Sequence, residues 1–312
     1  MEINSFPLLF GMSAWIAIAF LFLGFFLQQL RSFPKEKVAQ GGQALLIYLV
    51  LPALALLYIP PLKLGTALLL PISAAWFTFV LSWLVFGSLG KIFAWQKEVT
   101  GCLILVAGLA NTSFLGFPVV EALYGNQGLT TALLIDQGGS FLLVATLSLW
   151  VGARYGKTNS ENRKIIPTIF RFPPFLFLLG SIGLSLANLQ VPDFMSSVLQ
   201  GISMTMAPLA LLVIGLRISL DKEWIQSRFF WYGLGFRLVL APLCVWIIYA
   251  QLLPTTSMEF KVTVMESAMA PMITGSLLAM EFGLQPRLAA LLSGLGIPLS
   301  AITLGLWYWI LG

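Results

Sequence analysis

The chain has no histidine. That excludes His-ligated metal centres and imidazole acid–base catalysis. It has two cysteines, Cys102 and Cys244, both within apolar stretches, so it carries no disulfide framework and no CxxC site. Charge is scarce as well. Asp, Glu, Lys and Arg make up 9% of the residues, where a soluble domain carries about 25%. The sequence is apolar instead: 59% of its 312 residues are hydrophobic and the mean hydropathy is +0.93. Such a chain is an integral membrane protein, with the lipid bilayer as its first partner. Its net charge of +5 is no nucleic-acid signal, because the basic residues sit in short separators between apolar runs. No nucleic-acid partner, cofactor or metal is expected.

A spanning helix needs about 20 mostly apolar residues. Ten segments qualify: 7–30, 39–59, 66–89, 99–123, 129–153, 172–190, 195–217, 229–252, 260–281 and 288–311. The expected fold is an all-α membrane protein of ten transmembrane helices. Met1 to Pro7 carries Glu2 but no Lys or Arg, unlike the positive start of a secretory signal, so the first apolar stretch reads as a retained span. The longest polar separator is 154–171, in mid-chain. Of the seventeen Lys and Arg, fourteen fall in odd-numbered loops, only Lys63 and Lys261 in even-numbered ones, and Arg237 inside a span. Positive loops stay cytoplasmic, so both termini are expected on the non-cytoplasmic side, in a membrane of the bacterial inner type.

The halves echo one another. Tyr124-Gly125-Asn126-Gln127-Gly128-Leu129-Thr130-Thr131-Ala132-Leu133-Leu134 can be laid on Phe282-Gly283-Leu284-Gln285-Pro286-Arg287-Leu288-Ala289-Ala290-Leu291-Leu292, at an offset of 158. Pro52-Ala53-Leu54-Ala55-Leu56 echoes Pro208-Leu209-Ala210-Leu211-Leu212 at 156. Five spans per half is odd, so the halves would be inverted. The expected organisation is a first repeat over 1–153, a cytoplasmic loop over 154–171 and a second repeat over 172–312. Inverted repeats with broken helices are a mark of secondary transporters.

Two segments look broken. Asn111-Thr112-Ser113-Phe114-Leu115-Gly116-Phe117-Pro118 puts an amide, two hydroxyls, a glycine and a proline inside the fourth. Pro118 has no N–H for the carbonyl of Phe114. The ninth reads Glu266-Ser267-Ala268-Met269-Ala270-Pro271-Met272-Ile273-Thr274-Gly275-Ser276, and Pro271 frees the carbonyl of Ser267. Bare backbone polar groups survive in a membrane only where protein buries them or a cavity hydrates them. Two oppositely directed broken helices can cross at their breaks. Their half-helix N-termini then suit an anion such as a carboxylate. The plainer reading is that both prolines only kink packed helices.

Intramembrane charges are costly and usually face a cavity or a partner. Arg237 lies in the eighth segment, Asp136 in the fifth, followed by Gln137, and Glu266 in the ninth. Asp136 and Glu266 could each pair with Arg237 or carry a coupling proton. Glu121 and Glu281 sit at segment ends, where they can reach water. Trp307, Tyr308 and Trp309 read as an interfacial aromatic belt.

The motif Asn111-Thr112-x-x-x-Gly116-x-Pro118, followed by Tyr124-Gly125, resembles the fourth-span motif of the auxin efflux carrier family. Pro208-Leu209-Ala210-Leu211-Leu212-x-x-Gly215, Arg237-x-x-x-Ala241-Pro242 and Ala279-Met280-Glu281-Phe282 are similar to further motifs of that family. The resemblance covers essentially the whole chain. It implies two inverted five-helix repeats, a fold shared with bile-acid symporters. Helices 1, 2, 6 and 7 would form a scaffold, with homodimers built through it. Helices 3–5 and 8–10 would form an elevator-type transport domain with helices 4 and 9 crossing at its centre. By motif position, Asn111, Thr112, Gly116 and Pro118 would hold the substrate carboxylate. The break from Ala270 through Pro271 to Gly275 would supply the other half, and Gln137 a flanking hydrogen bond. The chain departs from the plant carriers in its short central loop, in having Gly275 where they have the crossover proline, and in Glu266 where they have glutamine. These departures weigh against auxin itself.

The expected function is secondary transport of a small organic anion, an auxin-like carboxylate or a dicarboxylate, with H⁺ or Na⁺ as coupling ion. A sodium-coupled symporter of the bile-acid type is the alternative. A membrane-embedded enzyme is a remote one, since the sequence offers no clustered metal ligands and no nucleophile–base pair. The protein is therefore read as a carrier and not an enzyme.

Overall fold

The computed structural model describes residues 12–30, 32–61, 69–156, 173–217 and 225–312. Among them the structure is helical, with no strand beyond one isolated bridge pair. Six helical stretches are long and apolar enough to cross a membrane: Lys35–Tyr58, Leu69–Ile92, Thr112–Tyr155, Asp193–Val213, Arg228–Tyr249 and Pro286–Leu311. They expose large apolar and aromatic side chains such as Tyr48, Trp83, Trp246 and Ile302. That is the face a lipid-bathed helix presents.

Chain contacts divide the molecule into two units. The first comprises Met1–Leu68, Ser113–Leu133 and Phe170–Ile218. Within it, α1 (Met12–Leu27) packs along α11 (Met206–Arg217). Gly24 and Gly215 form the seam: a Cβ on either would run into the other helix's backbone, at Leu212 O and Leu21 O respectively. In lipid, where burial of apolar surface drives little, such close small-residue contact is what holds two helices together. The helix α2 (Lys35–Leu45) continues through a π turn, Leu46–Val50, into α3 (Leu51–Tyr58). Both α9 (Pro173–Leu186) and α10 (Asp193–Ser203) pack on α3.

The second unit comprises Leu69–Thr112, Leu134–Ile169 and Ser219–Gly312. It holds α4 (Leu69–Ile92), α5 (Lys97–Cys102), α7 (Leu142–Ala145), α8 (Leu147–Tyr155), α12 (Arg228–Gly235), α13 (Ala241–Tyr249), α14 (Met258–Ser267), α15 (Ile273–Glu281) and α16 (Pro286–Leu311). Phe79, Phe86, Leu103, Phe230, Phe236 and Leu291 belong to its apolar core. Cys102 is buried and Cys244 half-buried, both as free thiols.

Prolines explain several irregularities. The π turns Leu46–Val50, Thr112–Gly116 and Phe236–Leu240 each end two residues before a proline: Pro52, Pro118 and Pro242. Proline lacks the N–H that would bond four residues back, and a widened turn is one way a helix absorbs that loss. For this reason Pro118 does not break its segment. It lies near the start of α6 (Phe117–Ile135), and the irregular backbone lies upstream, at Leu109–Asn111.

Carbonyls left over at such turns still need donors. In the second unit neighbouring helices supply them. Ser82 donates to Ile104 O at 3.0 Å, and Trp76 Nε1 to Gly138 O at 3.1 Å. Trp307 Nε1 donates to Leu238 O at 3.2 Å. Trp307 is accordingly buried, at 7% exposure, while Trp309 is 81% exposed. The expected aromatic belt keeps Trp309 and loses Trp307 to the interior.

The separator Tyr124–Gly128 does not end a helix by composition alone. It kinks α6 at Gly125, whose φ of 66° and ψ of −165° are open only to glycine at low cost. Gly283, in the turn between α15 and α16, has φ 71°. Among the described residues, Gly125, Gly283 and Gly312 are the glycines with positive φ.

Candidate functional site

Two stretches of the second unit lose helical structure and meet. The first follows α5 and its π continuation, Leu103–Ala107, and covers Leu109–Asn111. The second runs between α14 and α15, over Ala268–Met272. They pair antiparallel at Ala110 and Pro271. Asn111 N–H donates to Ala270 O at 2.8 Å, and Met272 N–H donates to Leu109 O at 3.0 Å. Small residues permit this approach. A Cβ on Gly275 would lie 2.9 Å from Leu109 Cδ1, and one on Gly296 would lie 2.7 Å from Pro271 Cδ. Gly275 itself is helical, inside α15, and not part of the break.

The two half-helices that end at this meeting point have free carbonyls. Arg237, on the π turn Phe236–Leu240, takes them. Its Nη1 donates to Ala107 O at 3.4 Å and to Gly108 O at 3.3 Å, and its Nη2 donates to Ser267 O. Ser267 O is the carbonyl that Pro271 leaves without a helical donor. One guanidinium therefore caps the negative ends of both half-helices. The side chain is fully buried. The anticipated pair with Glu266 is not formed, since neither Glu266 carboxylate oxygen has a hydrogen-bond partner among the described residues.

Beyond the meeting point lies the positive end of α15. The N-cap of α15 is Met272, which makes no side-chain cap bond. First-turn N–H groups of such a helix suit an anion. Asn111 is 1% exposed, yet among the described residues neither its Nδ2 nor its Oδ1 has a hydrogen-bond partner. A buried, unbonded amide is destabilising by about 1–3 kcal/mol per group, so proteins rarely keep one without a use. Thr112 Oγ1 donates to Asp136 Oδ1 at 2.6 Å, and Gln137 Nε2 donates to Asp136 Oδ2 at 2.8 Å. Gln137 Oε1 stays unbonded. Asp136 and Gln137 open the π turn Asp136–Phe141, where the chain already bends.

Of the residues singled out in the sequence, Asn111, Thr112, Asp136, Gln137, Arg237, Glu266, Ala270, Pro271 and Gly275 belong to this unit. Gly116 and Pro118 belong to the other. Two groups that the sequence does not single out, Thr78 and Thr263, line a small cavity with Glu266 and Ser267. Their only signal was a hydroxyl in an apolar helix, which is common. Among the described residues no group of three His, Cys, Asp or Glu side chains could hold a metal ion.

Comparison with known proteins agrees with a transport role. An uncharacterised transporter of Methanocaldococcus jannaschii is 28% identical over 312 aligned residues, covering 95% of this chain and 97% of the relative. An uncharacterised transporter of Methanothermobacter thermautotrophicus is 29% identical over 209 residues, 66% of each chain. The family described as membrane transport protein matches residues 12–308. With that match running over nearly its whole length, the chain belongs to this family of membrane transporters, the auxin-efflux-carrier-like one.

Proposed function

We propose that the chain is a secondary transporter of a small organic anion, and that the anion's carboxylate binds where the broken segments meet. The observation that carries this reading is Asn111: a fully buried amide with both polar atoms unbonded, beside two hydrogen-bonded backbone breaks. Asn111 Nδ2 and the uncapped first turn of α15 donate to the carboxylate. Ala270 and Pro271 shape the opposing wall, and Gln137 Oε1 accepts from a substrate hydroxyl or from water. Arg237 contributes indirectly. By neutralising the two negative helix ends, it leaves the positive ends to dominate the local field.

The fold in this proposal is ten helices in two inverted repeats, with the fourth and ninth crossing. Two observations support it. Helix occurs in every one of the ten apolar segments. The positive-φ glycines Gly125 and Gly283 stand 158 residues apart, the offset of the sequence echo. Transport then follows the elevator scheme, in which the crossing moves with its unit.

The test is a thermal-stability screen of purified protein with mono- and dicarboxylates, repeated on Asn111→Ala. At least one carboxylate is expected to raise the Tm of the unmodified protein and to lose that effect in Asn111→Ala. Equal stabilisation of both proteins would remove Asn111 from the site. No stabilisation by any carboxylate, with amines or neutral solutes active instead, would overturn the substrate class.

A further inference from the structure

A cavity of about 10 Å³ lies inside the second unit, lined in part by Thr78, Thr112, Ser140, Thr263, Glu266 and Ser267. That volume accepts one guest of the size of a water molecule and excludes an organic substrate. Its lining is largely apolar, with Ala74, Ala75, Leu109, Ile135 and Leu143 among it, and its polar groups are one-sided in their chemistry. Four of the lining hydroxyls already donate their proton to the protein. Thr78 donates to Ala75 O at 3.0 Å, Thr112 to Asp136 Oδ1 at 2.6 Å, Thr263 to Glu259 O at 2.5 Å and Ser267 to Val264 O at 2.7 Å. A hydroxyl whose proton is engaged has only lone pairs left for a guest. Glu266, 1% exposed, adds two oxygens with no hydrogen-bond partner among the described residues. The cavity thus offers acceptors and, from these groups, no donor.

Charge points the same way. The buried charged side chains among the described residues are Asp136, Glu266 and Arg237. Asp136 is close enough to Glu266 for the two carboxyl groups to interact electrostatically. Arg237 directs its Nη1 and Nη2 to backbone carbonyls. Two carboxylates against one guanidinium leave one negative charge in a low-dielectric interior. A single monovalent cation balances it, and a divalent one overshoots. A bare carboxylate with no counter-charge or hydrogen bond is among the costliest things to bury.

We infer that this cavity is a binding site for one monovalent, sodium-sized cation, held by Glu266 and the hydroxyl oxygens of Thr78, Thr112, Thr263 and Ser267. It deepens the proposed transport function by supplying a coupling ion. It does not depend on which anion is carried, or on whether one is. Glu266 lies on α14, the half-helix whose last carbonyls reach Arg237, and Thr112 directly follows Asn111. A cation here binds on the same two broken segments as the substrate, so each would favour the other.

The experiment uses the full-length protein in detergent and in nanodiscs, with no organic anion present. Its Tm is followed as NaCl replaces KCl or N-methylglucamine chloride at constant ionic strength, at pH 6 and pH 8. Binding of ²²Na⁺ is measured alongside. A saturable rise in Tm specific to Na⁺, with matching ²²Na⁺ binding, is expected. Glu266→Gln should abolish both. Thr78→Val keeps the carboxylate and the side-chain shape but removes one oxygen, and should raise the Na⁺ concentration at half-effect about tenfold or more. Indifference to Na⁺ at both pH values would overturn the inference, as would a response that follows pH alone. A Na⁺ response untouched in Glu266→Gln and Thr78→Val would overturn the site. Because no carboxylate enters this test, its failure is distinct from failure of the anion screen.

Discussion

Trp307 donates its indole N–H to the carbonyl of Leu238, the residue four before Pro242. The bond meets a carbonyl that a proline would otherwise leave bare in a membrane interior. Trp307→Phe keeps the ring bulk and removes the donor. It should lower stability by about 1 kcal/mol, the usual net value of one such bond. Trp309→Phe, on the exposed face of the same helix, should leave the Tm unchanged. Thermal unfolding of the two variants in one detergent decides it.

Arg237 has a larger effect. Its guanidinium serves three backbone carbonyls at the ends of two half-helices. Hydrogen bonds to charged groups contribute about 1.5–3 kcal/mol each. Arg237→Met should therefore destabilise by about 3 kcal/mol or more. Arg237→Lys should recover only part of this, because the donors of an ammonium all sit on one nitrogen and lack the reach of the planar guanidinium fork. Full retention of Tm in Arg237→Met would show that these carbonyls have other donors.

Much of this was legible in the sequence, and the misplacements have physical causes. Composition gave the membrane class, and the proline, small residues and hydroxyls marked the two interrupted segments. The sequence points to a first break at Asn111–Pro118, because proline reads as a helix breaker. A π turn absorbs it, and the irregular stretch is Leu109–Asn111. The sequence offers Asp136 and Glu266 as partners for Arg237. Its actual partners are main-chain oxygens, which look the same in every sequence, so no residue pattern could announce them. Trp307 and Trp309 were grouped as one belt. At about 100° per residue they stand on opposite sides of α16, and helical geometry alone could have separated them.

Asn111 should trade stability against binding. Its two amide atoms are buried without partners. Asn111→Leu, similar in volume and free of polar atoms, should raise stability by about 1–2 kcal/mol while abolishing stabilisation by carboxylates. A lower Tm in Asn111→Leu would mean that the amide has a bonding partner in the resting protein.

Gly125 and Gly283 should respond alike to a side chain. Gly125 has open space around a hypothetical Cβ, so the cost there is purely conformational. Gly125→Ala and Gly283→Ala should each destabilise by about 1–2 kcal/mol. Gly125→Asn should lose as much as Gly125→Ala, since φ 66° with ψ −165° lies outside the left-handed helical region that asparagine tolerates. Denaturation of this set in parallel distinguishes a strained turn from an inert one.

The paired bonds from Asn111 N–H to Ala270 O and from Met272 N–H to Leu109 O tie together chain segments some 160 residues apart. Neither break can open or shift without the other losing its partner. Whatever motion carries a substrate past this point must take both breaks as one piece, like two links sharing a pin. The Asn111 and Met272 amides should accordingly exchange their hydrogens at a common rate, and slow together when the substrate is bound.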